Sequence, residues 1–339
     1  MLEDVEGSDV ASSAAETLRP RLGVSRCLLG ENVRVNGGHC QSKWILNVLG
    51  EHAEFVGVCP EVELGLPTPR PPMRLVVDAS SEVDGAVRLQ ESKSGDDWTA
   101  PMAEHVGRRA EELALENLDG FIFKKDSPTC GVFRVKVYDH NGSPSSRGRG
   151  VFAEALMARL PNLPVEEEGR LNDPLLRESF LVRVHAYARW RRYLDEDASL
   201  AGLGTFHARH KMLLLAADPS SYRRLGQLVA GHAKGGADLA TRLAEYEAGL
   251  MLALANVVSR GRHVNVIQHL VGFCKTELAS EEKRELQRNL DLYTQGVLPR
   301  AAPVAIVRYL LLKHEAAPWA REQHYLDPYP ARLAPAPVA

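Results

Sequence analysis

Residues 21–61, RLGVSRCLLGENVRVNGGHCQSKWILNVLGEHAEFVGVCPE, decide the fold. RLGVSRCLL (21–29) is a short apolar run of buried-strand type whose far end carries a cysteine. SKWILNVLGEH (42–52) changes period: Trp44, Ile45, Val48 and Leu49 share one helical face. AEFVGVCPE (53–61) returns to strand character and again runs into a cysteine. Two parallel strands need a crossover, and a helix between them supplies it.

The same alternation continues downstream. Leu75, Val76 and Val77 form a short apolar run, followed by AVRLQES (86–92). A Gly-Asp-Asp turn then leads to Thr99, the expected N-cap of a helix over 100–118. DGFIFKKDSPTCG (119–131) is a third strand whose following loop holds a third cysteine, RVKVYD (134–139) is a strand, and GVFAEALMARL (150–160) a helix. Residues 20–165 therefore predict a Rossmann-like α/β domain with a mainly parallel sheet.

From 171 to 330 the pattern is helical. LLRESFLVRVHAYARWRRYLDE (175–196), TFHARHKMLLLAA (205–217), LATRLAEYEAGLMLALAN (239–256), VNVIQHLVGFCKTEL (264–278), SEEKRELQRNLDLYTQG (280–296) and PVAIVRYLLLKHEA (303–316) carry 3.6-residue periodicity. Ser280 marks a helix start and Pro303 fits a first turn. An all-α second domain follows, joined through a linker at PNLPVEEEGRLNDP (161–174). Residues 1–19 read as a flexible lead-in and 331–339 as an unstructured tail.

Composition bounds the function. A length of 339 residues favours two domains, and 45% hydrophobic with 25% charged residues excludes collagen-like, coiled-coil and wholly disordered chains. No apolar run approaches the ~20 residues of a membrane span, and the acidic N-terminus has no secretion-signal core. The five cysteines, an odd number without a C-x-x-C pair, point to a reduced, cytoplasmic protein without a zinc ribbon or thioredoxin site. Neither a G-x-G-x-x-G fingerprint nor a P-loop occurs, so no nicotinamide or nucleoside triphosphate cofactor is expected. Charge divides with the domains. Residues 1–150 hold 17 basic and 23 acidic side chains, giving −6, and residues 151–339 hold 24 and 21, giving +3. Six arginines crowd 170–192 against Asp173 and Glu178. They suit either a solvated helix face or contact with a phosphate backbone.

Cys27, Cys59 and Cys130 all stand where strands give way to loops, the edge of an open α/β sheet where ligands bind. Three thiols there suit an iron–sulfur cluster or another thiophilic metal. They equally suit nucleophilic catalysis or plain burial. Glu61, in CPEVELG, is a candidate general base or a carboxylate at a helix start. Ser127 and Lys124, in KKDSPTCG, are candidates to orient a substrate and stabilise developing negative charge, although lysines there also suit a solvated strand end.

SRCLLGENVRVNGGH, VCPEVELGLPTPRPP and FKKDSPTCGVFRVKVY resemble the three signature blocks of the thiouracil desulfidase family, in the same order. HARHKMLLL, NVIQHLVGF and EKRELQRNLDLYTQGVLP resemble the helical domain of YbgA-type proteins, and the fused arrangement resembles bacterial desulfidases of 4-thiouridine, including that of tRNA. The resemblance implies a [4Fe–4S] cluster on Cys27, Cys59 and Cys130, with its unligated iron taking the thiocarbonyl sulfur. It implies Glu61 as the base that activates water and Ser127 as its assistant, with hydrosulfide released and no net redox change. Arg34, Asn36, Arg70 and Lys124 become candidate substrate or phosphate contacts. Cys40 follows Cys27 by 13 residues; a fourth ligand there would close the open iron. The expected partner is thiolated tRNA or a thiouracil-type small molecule. The alternatives are a desulfidase of free thiouracil, thionucleoside or thionucleotide, and a cluster-binding sensor or RNA-binding protein without catalysis.

Overall fold

A computed structural model describes residues 18–78, 86–231 and 238–334. The N-terminal lead-in, apart from residues 18 and 19, and the last five residues of the tail lie outside that range; the start of the tail, expected to be unstructured, instead forms a 3-10 turn (Ala331–Leu333) because Leu333 is buried in the core. The quoted stretch folds as expected. Strand β1 (Arg21–Ser25) enters a 3-10 turn holding Cys27; the short helix α1 (Lys43–Asn47) crosses over; β2 (Glu54–Val58) runs parallel to β1. Helix α2 (Pro60–Glu63), β3 (Met73–Val77), β4 (Val87–Glu91), α3 (Thr99–Leu115), β5 (Gly120–Phe123), β6 (Val135–Tyr138), β7 (Pro144–Gly148), α4 (Val151–Arg159) and β8 (Val165–Glu167) complete this half.

The strands form two sheets. The first is parallel throughout, in the order β2-β1-β5-β8. The second, β4-β3-β6-β7, is mixed: β3 and β6 are parallel, and each has an antiparallel hairpin partner. Because β1 lies between β2 and β5, the chain leaves it in opposite lateral directions. A crevice therefore opens beyond its carboxyl end. Gly23 in β1 leaves the space that Phe121 fills: a methyl group there would come 2.1 Å from Phe121 Cδ2.

Two local readings change. Thr99 is not the cap of α3 but its first residue; its amide donates to Asp97 Oδ1 at 2.8 Å, and its hydroxyl accepts from the Leu89 amide at 2.9 Å. The acidic stretch read as a linker contains β8, which pairs with β5. Its glutamates are buried because each has polar partners. Glu166 holds Arg170 at 2.7 Å, and Glu167 Oε1 accepts from the Val132 and Phe133 amides at 2.8 and 3.0 Å.

The second half is helical: α5 (Pro174–Asp197), α6 (Leu200–Ala217), α7 (Pro219–Val229), α8 (Leu239–Leu254), α9 (Arg260–Val271), α10 (Ser280–Thr294), α11 (Ala301–Lys313) and the single turn α12 (Pro318–Arg321). Asp173 and Asp218 cap α5 and α7 through their carboxylates. Cys274 is buried in the 3-10 turn after α9. Among the described residues, no helix is long and apolar enough to cross a membrane.

Helix α5 joins the halves. Phe180, Leu181 and Val184 cover Leu22, Val24 and Ile122 of the parallel sheet. Trp190 stacks on Tyr246, and its indole donates to Glu247, which also accepts from Asn162 in the loop before β8. The arginine run of 170–192 is spent largely inside the molecule. Arg183 reaches the Val165 carbonyl, Arg191 pairs with Asp119 at 3.1 Å, Arg189 holds the Pro328 carbonyl, and Arg177 lies over Trp44. Docking the two halves, rather than presenting an open phosphate-binding face, explains most of that charge.

Gly23→Ala should lower stability by about 1–3 kcal/mol through overpacking against Phe121, read as a reduced urea midpoint. A second expectation concerns pH. Burial, reinforced by neighbouring cations, holds His185 and His207 down to about 4, and His263 and His324 to about 3. Below pH 6.5 the unfolded chain takes up protons that these folded rings refuse. Stability is therefore fully present above 6.5 and declines as pH falls toward 4. Urea midpoints measured between pH 7.5 and 4 should drop through that window; a flat profile would contradict the assignment.

Candidate active site

The carboxyl ends of β1, β2 and β5 meet at one cavity of about 360 Å³. Cys27, from the turn after β1, Cys59, immediately after β2, and Cys130, in the loop after β5, all line it. Cys59 caps α2 in position only; the Glu63 carboxylate accepts the Cys59 amide at 3.0 Å and so holds that end of the strand. Ser25 Oγ accepts the Lys124 amide at 3.0 Å, tying the end of β1 to the start of the Cys130 loop.

All three thiols are buried. Burial pushes Cys27 up to about 11 and Cys59 up to about 12, and raises Cys130 well above its ordinary value; Glu61 adds to the shift at each. A free reactive thiolate calls for the opposite environment. Such thiols ionise when a bound cationic centre supplies the missing charge. Three soft donors facing one cavity, uncharged without such a centre, therefore fit an iron–sulfur group better than a nucleophile. Among the described residues, no three His, Cys, Asp or Glu side chains converge tightly enough for a single metal ion.

Glu61 sits in the first turn of α2, almost fully buried. Its Oε1 accepts from the Thr129 hydroxyl. Its Oε2 accepts from Cys59 Sγ at 3.4 Å and faces Arg70 Nη2 at 3.8 Å. With its proton given to Glu61, Thr129 Oγ1 accepts from Ser127 Oγ at 2.9 Å. Ser127 Oγ in turn accepts the Cys130 amide at 3.1 Å and the Thr129 amide at 3.3 Å. A chain Ser127–Thr129–Glu61 thus orients the carboxylate and folds the loop that presents Cys130. Thr129, fully buried, is the residue that reasoning from sequence missed. Its place inside SPTCG was the available signal.

The other candidates separate. Arg70 lines the cavity but is anchored: its Nη1 donates to the Val33 carbonyl at 3.0 Å and its amide to the Val35 carbonyl. Lys124 Nζ pairs with Glu168 Oε1 at 2.6 Å, a carboxylate that the sequence did not single out. Arg34 lines the cavity and, among the described residues, has no side-chain partner, leaving its guanidinium available to an anion. Asn36 does not line the cavity; its Oδ1 accepts the Gly38 amide at 3.1 Å and closes the glycine loop. Cys40 is half-buried and also outside the lining, with its amide donating to the Cys27 carbonyl at 2.9 Å.

The ends of a parallel sheet thus bring three buried thiols and an oriented carboxylate to one cavity, the arrangement of an α/β protein with its site at the strand ends. Comparison with known proteins names the family. Residues 22–168 match the 2-thiouracil desulfurase family, and residues 211–330 match a family described as a protein of unknown function (DUF1722). A Bacillus subtilis (strain 168) protein, YbbK, is 31% identical over 155 residues, 45% of this chain and 98% of YbbK. The Escherichia coli (strain K12) protein YbgA is 26% identical over 153 residues, 45% of this chain and 89% of YbgA. A solved structure titled [4Fe-4S]-dependent thiouracil desulfidase TudS shares 28% identity with a TM-score of 0.36, covering 48% of this chain and 99% of that one. The chain belongs to the 2-thiouracil desulfurase family through its N-terminal half, followed by a DUF1722 region.

Removing the Thr129 hydroxyl leaves a buried carboxylate oxygen without its donor. Thr129→Val should therefore cost about 1–3 kcal/mol of stability, whereas Thr129→Ser should stay close to wild type, as read from urea midpoints.

Proposed function

We propose that this protein removes sulfur from 4-thiouridine, foremost in tRNA, using a [4Fe–4S] cluster held by Cys27, Cys59 and Cys130. The observation that carries the reading is the gathering of these three buried thiols around one cavity beside Glu61. Bound there, the cluster supplies a Lewis-acidic iron for the soft thiocarbonyl sulfur.

The chain's own residues do the rest. Glu61 takes a proton from water as the water oxygen bonds to the ring carbon. The hydrogen bond from Thr129 holds one carboxylate oxygen in place, and Arg70 sits beside the other. The carbon–sulfur bond then breaks and sulfur leaves as hydrosulfide. Water and thiocarbonyl become carbonyl and hydrosulfide, so no electrons are transferred. Ser127 keeps Thr129 aimed at Glu61 and the Cys130 loop folded around the cavity. Arg34 is the available cation for a phosphate near the mouth. If tRNA is the substrate, its modified base must leave the stack to enter.

A free thiouracil-type substrate remains a second reading. YbbK, matched over nearly all its length by less than half of this chain, is a relative that lacks a counterpart to the rest of it, which suits a substrate small enough for the cavity alone.

Anaerobic reconstitution with iron and sulfide tests the proposal. The assay follows loss of 4-thiouridine absorbance and release of hydrosulfide from tRNA and from the free nucleoside. Cys27→Ala should lose the cluster chromophore together with activity. Glu61→Ala should keep the chromophore and lose about 100- to 10,000-fold in rate. A stable cluster with neither substrate desulfurated would refute catalysis and leave the sensor reading.

A further inference from the structure

Beside the active-site loop lies an open groove of about 490 Å³ whose walls include Phe133, Arg134, Arg147, Arg149, Glu154 and Arg170. Four guanidinium groups face one carboxylate here, on a chain whose net charge is −3. Only two have strong acidic partners: Arg149 meets Glu154 at 3.1 Å and Arg170 meets Glu166 at 2.7 Å. Among the described residues, the exposed side chains of Arg134 and Arg147 have no hydrogen bond or ion pair. Arg149 Nε is buried without an acceptor. The Arg170 guanidinium lies 4.4 Å from the centre of the Phe133 ring, which is 38% exposed.

One wall of the groove continues the loop that carries Cys130 and is anchored from within. Residues 131–134 follow Cys130 directly, and buried Glu167 clasps the Val132 and Phe133 amides. Arg134 occupies the left-handed region at φ 54, a conformation that costs energy in a residue with a Cβ. Pairing of Val135 with Gly148 across the β6–β7 hairpin brings Arg134 and Arg149 side by side. Lys125 connects this groove with the cavity. It lines the cavity, and its alkyl chain crosses Gly169 so closely that a methyl group there would lie 2.6 Å from Cδ. Arg170, on the groove wall, is the next residue. Lys125 pairs with Asp126 at 3.6 Å and Arg170 with Glu166, so these two cations join cavity and groove by position, while the unpartnered positive charge sits on Arg134 and Arg147.

We propose that this groove docks the RNA phosphodiester backbone flanking the base that enters the cavity. This rests on the tRNA reading above and adds where the polyanion is held. An unpaired arginine on an edge hairpin also deters strand-to-strand aggregation. That role does not require four arginines gathered round one groove beside the Cys130 loop, nor a buried guanidinium nitrogen lacking an acceptor.

The test uses the full chain and unmodified tRNA, so that binding is read by fluorescence anisotropy without turnover. Arg134→Ala with Arg147→Ala should weaken binding about tenfold or more. It should also reduce the slope of log affinity against log salt by about two. Lys283→Ala with Arg321→Ala removes the same charge elsewhere and should change affinity less than about threefold. Desulfuration of free 4-thiouridine should be unchanged in the groove variant. Wild-type affinity in the groove variant, or an equal loss in the control pair, overturns the groove while leaving tRNA as substrate. Failure of the wild-type protein to bind tRNA at all overturns both, yet leaves desulfuration of free thio-bases standing.

Discussion

The placement of β1 between two parallel partners is the constraint on which the rest of the structure depends. Its hydrogen bonds with β2 and β5 fix the heights at which three loops leave the sheet. Cys27, Cys59 and Cys130 share a cavity because of that register, not because of any affinity among thiols. Backbone pairing thus assembles a set of donors that sequence separation scatters over a hundred residues. Gly23 is part of the same constraint, since a side chain there would push Phe121 out of the adjoining strand.

Buried and half-buried carboxylates form the second layer of this design. Glu61, Glu166, Glu167 and Glu168 each anchor a different segment around the crevice: the Thr129 hydroxyl, Arg170, the turn after Cys130, and Lys124. Each contact satisfies a polar group that would otherwise be costly to bury. The result is a site whose loops are held by charge-assisted hydrogen bonds while its floor is lined with apolar packing and sulfur.

Periodicity made much of the fold legible in the sequence. The apolar runs at 21–25, 54–58 and 120–123 are too short for helices and become parallel strands, while the longer periodic segments become helices. The cysteines, Glu61 and Ser127 were visible because reactive residue types stood at strand ends. What escaped notice depended on tertiary pairing. EEE at 166–168 looks like a solvated linker, and only burial against arginines and amides makes β8 possible. Helix α7 went unread because its apolar face is short. Thr129 escaped because a threonine in a turn has no chemical signature until Glu61 is found opposite it. The arginines of α5 misled for the same reason: charge density alone does not reveal whether its counter-groups lie in solvent or across an internal seam.

The seam formed by α5 has an evolutionary consequence. Phe180, Leu181 and Val184 of one half are in the same apolar cluster as Leu22, Val24 and Ile122 of the other. A change in volume on either side calls for a compensating change on its opposite. The two halves, whatever their separate ancestries, are therefore bound to accumulate substitutions in step along this contact, and neither is free to be exchanged for a distant counterpart without its mate.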